Sequence, residues 1–216
     1  MPNEFVCDME NVLEVYKKPI EPAHPVVCMD ESSKQQVEEI CEPISAKPGQ
    51  TERYDYEYKR NGVSNLFIFF DPLVGWRHVE VTDQRTAIDW AYQIRDLVDI
   101  YYPHASRISL VMDNLNTHCR ASLYKAFEPD EARRILERLE FHYTPKHGSW
   151  LNMAEIELSI LSSQCLDRRI PDQETLKKEV TAWVDQRNDL ATEMDWRFTT
   201  EDARIKLRRL YPSIDP

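Results

Sequence analysis

The sequence predicts an α/β fold in which a mixed sheet, with antiparallel hairpin strands first and parallel strands later, is flanked by helices. Three observations support this prediction. Strand patterns occupy residues 26–81, a helical pattern covers residues 87–101, and short strands then alternate with helices. Hairpins make antiparallel neighbours, whereas parallel neighbours need the helical crossovers that the second half of the chain supplies.

The predicted antiparallel strands begin with a short apolar run, residues 26–29, which ends at Asp30. Residues 53–59 alternate tyrosines with charged side chains, as a strand with one exposed face does. The pair Asn61-Gly62 is a strong signal for a hairpin turn. Two further strands are predicted from an apolar and an alternating segment, residues 66–70 and 76–81.

From residue 87 the apolar side chains recur at the spacing of one helical face. A mostly apolar strand over residues 108–112 then ends at Asp113. The remaining predicted elements are a strand at residues 140–143 and helices at residues 118–127, 130–139, 149–165, 174–188 and 201–210. Ligand sites in open α/β sheets lie at the carboxyl ends of strands, so Asp30 and Asp113 meet if their strands are adjacent and parallel.

Length and composition indicate one compact domain with tails, since the chain has 216 residues. No apolar stretch approaches the roughly 20 residues of a membrane span, and the start shows no signal-peptide pattern. The five cysteines contain no CxxC pair, which is typical of free thiols in a reducing cytoplasm. We predict a tail or linker over residues 1–25, a main domain over residues 26–190 and a C-terminal helical extension over residues 191–216.

Three carboxylates are candidates for a divalent-metal site. Asp30 and Asp113 each follow a predicted strand, and Glu155 lies near the start of a late helix. Mg²⁺ takes oxygen ligands and is usually held by one or two carboxylates together with substrate phosphates. Glu155 and Glu157 flank the apolar stripe of their helix on opposite sides, so periodicity does not choose between them. The net charge of −11 fits an acidic metal site better than broad nucleic-acid binding, which relies on neutralising phosphates.

Several short motifs resemble the catalytic domain of the mariner-related insertion-sequence transposases of bacteria, a DDE-type group. Each motif is weak alone, but their order and spacing together are specific. They are Cys28-Met29-Asp30-Glu31-Ser32, Tyr58-Lys59-Arg60-Asn61-Gly62, Met112-Asp113-Asn114 with Thr117-His118, Tyr143-Thr144-Pro145, and residues 149–155. The resemblance implies a ribonuclease-H-like fold and makes Asp30, Asp113 and Glu155 the catalytic, metal-binding acids; Glu157 is the alternative third acid.

The resemblance also implies an activity and its partners. The enzyme would cleave DNA strands at transposon ends and join them to target DNA, with Mg²⁺ as cofactor and Mn²⁺ as a substitute. We expect double-stranded DNA, both end and target, as the partner, and a homodimer on that DNA. The family places a helix-turn-helix region before the catalytic domain. We expect this region either on a separate helix-turn-helix polypeptide or on a part of the same chain beyond the given sequence. A bacterial cytoplasm, with association to the nucleoid, is the expected location.

Candidate DNA contacts are the basic, polar and aromatic residues Lys59, Arg60, His118, Lys146, His147, Ser149 and Trp150. Each has a plainer interpretation, such as a core position for Trp150 or a first-turn helix position for His118. Two other functions stay open. One is a different nuclease of the same fold, such as a junction resolvase, and the other is a non-catalytic DNA-binding or assembly module derived from a transposase. The presence of all three acids argues against the latter.

Overall fold

The computed structural model describes residues 2–41, 44–51, 53 and 56–211. Its centre is a five-stranded sheet with the order β3-β2-β1-β4-β5. The strands are β1 (Val26–Glu39), β2 (Tyr58–Asp71), β3 (Trp76–Thr82), β4 (Ile108–Met112) and β5 (Leu139–Tyr143). The β1–β2 and β2–β3 pairs are antiparallel, and the β1–β4 and β4–β5 pairs are parallel. The predicted mixed sheet is therefore confirmed.

Helices cover both faces of this sheet. They are α1 (Pro2–Tyr16), α2 (Ala87–Asp96), α3 (Arg120–Ala126), α4 (Pro129–Glu137), α5 (Met153–Leu161), α6 (Gln173–Asp189) and α7 (Thr200–Lys206). A 3₁₀ turn, Ser149–Leu151, precedes α5, and π turns extend α2 to Tyr101 and α5 to Leu166. One core joins the sheet to α1, α5, α6 and α7, and the other joins it to α2, α3 and α4.

Strand β1 is longer than its sequence predicts. Val27 and Met29 enter one core and Cys28 the other, so both faces of its first half are buried and the run is apolar throughout. The strand then continues to Glu39 because β2 pairs with it along this whole length. Asp30 thus lies within a strand rather than at its end, although pairing with β4 stops at Cys28 and Val111.

The predicted hairpin turn at Asn61-Gly62 is wrong, because both residues lie inside β2. Gln36 pairs with Gly62 whereas Val37 pairs with Arg60, which leaves Asn61 as the extra residue of a β-bulge. Gly62 has a φ of 118°, a value that side chains disfavour, which explains the glycine. The strand predicted over residues 53–59 begins only at Tyr58, and residues 52, 54 and 55 lie outside the described part.

The expectation of a tail or linker is wrong for residues 2–16, which form α1. Met9, Val12 and Leu13 on this helix are at most 1% exposed and belong to the core. The prolines at positions 19, 22 and 25 follow the helix and suggested an irregular segment, which residues 17–25 do form. The division of the rest of the chain at residue 190 stays a prediction. None of the helices in the described residues is long and apolar enough to cross a membrane.

Candidate active site

Asp30, Asp113 and Glu155 line one open cavity of about 500 Å³ at the point where the pairing between the inner strands β1 and β4 ends. Their positions follow from the fold. Asp30 is two residues beyond Cys28 on β1, and Asp113 is two residues beyond Val111, its parallel partner on β4. The two aspartates are therefore level with each other across neighbouring strands. Glu155 comes from the first turn of α5, which enters from the adjacent layer.

The remaining lining of the cavity is polar. Besides the three acids it consists of Glu31, Ser32, Ser149, Asn152, Leu158, Ser159 and Ser162. Except for Leu158, these residues have carboxylate, amide or hydroxyl side chains. Each of these groups offers an oxygen atom that could coordinate a metal ion. Such donors match hard divalent cations such as Mg²⁺ and Mn²⁺ rather than soft metals.

The Asp30 carboxyl lies in surroundings that disfavour its ionised form. Burial raises its pKa to about 7, and the nearby charges of Asp113 and Glu155 push in the same direction. A hydrogen bond from the Glu31 backbone N–H, 2.7 Å from Asp30 Oδ1, and the charge of His118 oppose this rise. Repulsion among the three carboxylates is a cost that a bound cation would remove.

His118 is fully buried and lies between two carboxylates. Its Nδ1 donates to Asp113 Oδ1 at 2.5 Å, and its Nε2 donates to Glu31 Oε2 at 3.2 Å. Burial opposes the charge on the ring, but the hydrogen bonds to these two acids prevail and raise the pKa of His118 to about 9. His118 is therefore a buried cation that holds Asp113 in place, and its burial does not fit the expected direct contact with DNA.

Arg85 completes this network at the surface and was not identified from the sequence. Its guanidinium lies 3.3 Å from Glu31 Oε1, and half of the side chain is exposed. A single arginine just before a helix carries no recognisable pattern, so only the folded structure shows that it reaches Glu31. A chain of contacts therefore runs from Arg85 through Glu31 and His118 to Asp113.

The structure separates the roles of the two glutamates on α5. Glu155 is exposed and lines the cavity, whereas Glu157 is completely buried. Glu157 is paired with Arg77 of β3 and Arg187 of α6, each at 2.8 Å, on the core side of the helix. Glu157 is therefore held in buried ion pairs, and Glu155 is the acid that this helix presents to the cavity.

The other candidate contacts divide into two groups. Lys146 and His147 are exposed in the loop after β5, Ser149 lines the cavity, and Trp150 is 42% exposed with its ring stacked on Trp196. The structure thus brings Ser149 to the acids, and the other three lie in the chain segment next to it.

Lys59 and Arg60 lie far from the cavity. They face Glu38 and Val37 on β1, seven or eight residues beyond Asp30, which is roughly 25 Å along a strand. Lys59 is paired with Glu38 at 3.2 Å, and Arg60 contacts the Tyr58 hydroxyl at 3.4 Å. The structure does not bring these two residues to the acids.

The described residues contain no ready-made cluster of three His, Cys, Asp or Glu side chains that could enclose a metal ion. Mg²⁺ seldom needs one, because waters and substrate phosphates commonly complete its coordination. The oxygen donors and the mutual repulsion of Asp30, Asp113 and Glu155 fit a divalent cation that is shared with substrate. The ring of His118 is already bonded at both nitrogens and is not a free ligand.

A five-stranded mixed sheet of this order, with acids where the β1–β4 pairing ends and on a following helix, defines the class of proteins with a ribonuclease-H-like fold. The family model for DDE superfamily endonucleases matches residues 25–177. Because this match covers most of the chain, the protein belongs to the DDE superfamily endonuclease family. A search of curated proteins found no match to this chain.

Solved structures of Mos1 mariner transposase are similar in fold. The strand transfer complex has a TM-score of 0.61 at 16% identity, covering 100% of this chain and 64% of that one. The paired end complex with Mn has a TM-score of 0.57 at 17% identity, covering 86% and 57%. The pre-cleavage transpososome has a TM-score of 0.57 at 16% identity, covering 91% and 65%. The chain thus spans less than two thirds of the length of these relatives.

Proposed function

We propose that this chain is the catalytic domain of a transposase that cleaves DNA at transposon ends and joins the ends to target DNA. The observation that carries this proposal is the cavity shared by Asp30, Asp113 and Glu155 where the β1–β4 pairing ends. Membership of a family of endonucleases gives the reaction class, which is phosphoryl transfer. The similar Mos1 structures are described as paired-end and strand-transfer complexes, which supports transposition over other nuclease reactions.

In this proposal Asp30, Asp113 and Glu155 hold Mg²⁺, or Mn²⁺ in its place. The bound metal would supply activation of the attacking oxygen and stabilisation of the leaving oxygen. His118 keeps the Asp113 carboxylate oriented through its short hydrogen bond. In cleavage, water attacks the phosphorus and the bond to the 3′ oxygen breaks. In joining, the freed 3′-hydroxyl attacks a phosphorus of target DNA and displaces another 3′ oxygen.

The DNA backbone would approach the cavity from the side of β5. Residues 114–127 and 143–154 contain no aspartate or glutamate, although the whole chain has a net charge of −11. Exposed cations in these two segments include Arg120, Lys125 and Lys146, with His147 beside them. Phosphate contacts of this type position nucleic acid without reading its sequence. The exposed part of Trp150 offers a surface on which a base could stack.

The proposal also covers the assembly of the protein on DNA. Two copies of the chain act together on DNA, in keeping with the paired-end assembly named for Mos1. Sequence recognition comes from a separate helix-turn-helix polypeptide, because base readout commonly uses a helix in the major groove. We further propose a bacterial cytoplasm and its nucleoid as the setting, and residues 191–216 as an extension of a catalytic unit that ends at residue 190.

Cleavage of labelled DNA tests the proposal. The chain is incubated with Mg²⁺ and a duplex carrying the transposon end from its own genomic locus, with a scrambled duplex and a four-way junction as comparison substrates. Asp113→Asn and Glu155→Gln should reduce cleavage at least about 1000-fold while the fold is retained, because each removes a charge that holds the cation. Glu179→Gln, a surface change on α6, should cleave as the unaltered chain does.

The outcomes separate the alternatives. Metal-dependent nicking of the end duplex that Asp113→Asn abolishes supports the proposal. Cleavage confined to the four-way junction would instead identify a resolvase. A chain that binds DNA without cleaving any of these substrates, in Mg²⁺ or Mn²⁺, would indicate a non-catalytic module.

A further inference from the structure

We propose that Asn152 is a positioning residue that fixes the helix carrying Glu155 to the strand carrying Asp30. This inference rests on the proposed function, since it concerns how the acids of that site are held. Asn152 is 1% exposed and immediately precedes α5. It borders the cavity, but its polar atoms are used inside the protein.

The side-chain amide of Asn152 makes two hydrogen bonds to backbone groups. Its Oδ1 accepts from the Ala154 N–H at 3.1 Å, which caps the first turn of α5. Its Nδ2 donates to the Met29 carbonyl at 2.9 Å. Ala154 is the neighbour of Glu155, and Met29 is the neighbour of Asp30. One planar amide therefore connects the backbones beside two of the three acids.

The bond to Met29 fills a gap in the sheet. Parallel pairing between β1 and β4 ends at Cys28 and Val111, so the Met29 carbonyl lies past the last strand pair on that side. Met29 is completely buried, and a buried carbonyl without a partner is costly. Asn152 supplies the missing donor at the point where the two strands part and the cavity opens.

Only an amide at this position can perform both tasks. Serine, threonine and aspartate cap helices about as well as asparagine, since a cap needs only an acceptor oxygen. None of them has the N–H₂ group that reaches the Met29 carbonyl. The cap alone therefore does not explain asparagine at residue 152, whereas the link to β1 does.

A second contact holds the same turn from the opposite side. The Tyr16 hydroxyl of α1 donates to the Leu151 carbonyl at 2.7 Å, and Tyr16 is 8% exposed. The turn Ser149–Leu151 is thereby held by α1 on one side and, through Asn152, by β1 on the other. Glu155 thus depends on a rigid support, as groups that orient metal ligands usually do.

The test compares Asn152→Ser with Asp172→Ser. Asp172 caps α6 by accepting from the Thr175 N–H at 2.7 Å and does not line the cavity. Both substitutions leave a serine at a helix cap, but only the first removes a link between α5 and β1. Mn²⁺ binding is measured without DNA by electron paramagnetic resonance, and the Mn²⁺ concentration for half-maximal cleavage is measured with DNA.

We expect Asn152→Ser to weaken Mn²⁺ binding about 10- to 100-fold, the range typical for loss of a group that orients metal ligands. Asp172→Ser should bind within about twofold of the unaltered chain, since its link is remote from the acids. The cleavage reaction of Asn152→Ser should need a correspondingly higher Mn²⁺ concentration. Unchanged Mn²⁺ affinity in Asn152→Ser, or equal losses in both variants, would overturn the positioning role.

A measurement on the unaltered chain covers the case in which Asn152→Ser does not fold. The Asn152 side-chain amide protons should exchange slowly with solvent in nuclear magnetic resonance spectra and shift when Mg²⁺ is added. Fast exchange with no shift would overturn the proposal. If the unaltered chain binds Mn²⁺ but cleaves no DNA, the proposed transposase function fails while the positioning role stands. If both variants cleave like the unaltered chain at every Mn²⁺ concentration, only the positioning role fails.

Discussion

Glu157 and Arg77 form an ion pair that has no exposed surface, with Glu157 Oε1 2.8 Å from Arg77 Nε. The Nε–H of Arg77 does not meet the geometry of a hydrogen bond to this oxygen, so the contact is a close ion pair without an aligned hydrogen bond. Arg187 contributes two aligned hydrogen bonds to the same carboxylate, at 2.8 and 3.2 Å. This cluster ties α5 to β3 and α6 and so supports the helix that presents Glu155.

Replacing Glu157 by glutamine should destabilise the protein strongly. The substitution leaves the buried charge of Arg77 without its counter-ion, which typically costs about 3–5 kcal/mol of unfolding free energy. Urea unfolding measures this loss. The matched control is Glu179→Gln on α6, whose partner Arg168 is exposed, and which should cost about 0–1 kcal/mol. Equal effects of the two substitutions would show that the buried pair contributes no more to stability than the exposed pair.

Local patterns predicted much of the sheet because its strands are apolar on both faces or alternate clearly. They failed at Asn61-Gly62, where the same residue types that make a hairpin turn make a β-bulge within a long strand. They also failed at α1, whose buried face became evident only once Met9 and Leu13 met the sheet. In both cases the deciding interactions come from residues distant in sequence, which a local pattern does not contain.

The sequence likewise predicted part of the candidate site. The order and spacing of motifs placed Asp30, Asp113 and Glu155, and the structure puts all three on one cavity. The helical wheel could not separate Glu155 from Glu157, because the choice depends on Arg77 and Arg187 in other elements.

Mn²⁺ binding should depend on pH through Asp30. Its pKa, raised to about 7, means that metal must displace a proton from this carboxyl below neutral pH. We expect Mn²⁺ affinity to rise about tenfold per pH unit below pH 7 and to level off above it. Calorimetric titration from pH 5.5 to 8.5 measures this dependence. Asp30→Asn should bind weakly at every pH, and a flat profile in the unaltered chain would contradict the assignment.

The stability of the metal-free protein should fall at alkaline pH because of His118. Its pKa is raised from 6.5 to about 9, so folding favours the charged ring. The resulting stabilisation is complete below pH 6.5 and is lost as the pH rises through 9; its full size is roughly 3 kcal/mol. Asp30 also makes stability fall with rising pH, but in a lower range. Because its pKa is raised, its contribution to the unfolding free energy is lost between about pH 4 and 7.

His118→Asn isolates the histidine contribution. The variant should be less stable than the unaltered chain at pH 6 and should lose this difference by pH 10, as measured by urea unfolding without divalent metal. His24→Asn is the control, because His24 is half exposed and pairs only with Glu21 at 3.0 Å. A stability difference for His118→Asn that is the same at pH 6 and pH 10 would rule out a charged His118.

The chain alone should bind duplex DNA weakly and without sequence preference. With a net charge of −11 it can neutralise few phosphates, and no proposed contact reads base edges. Fluorescence anisotropy with transposon-end and scrambled duplexes, across a range of salt concentrations, measures both properties. Affinity should fall steeply with salt and improve with Mg²⁺, which reduces repulsion at the acids.

The double variant Lys146→Ala, Arg120→Ala should lower the slope of log affinity against log salt concentration by about 1–2, because each phosphate contact contributes about 0.9 to this slope. The control is the double variant Lys177→Ala, Arg107→Ala, which removes the same number of charges at exposed positions away from the cavity. It should change the slope less.

Binding near 10⁻⁸ M with a clear preference for one duplex, as in specific complexes, would instead place sequence recognition in this chain. The first residues to substitute would then be Arg204, Lys206, Arg208 and Arg209.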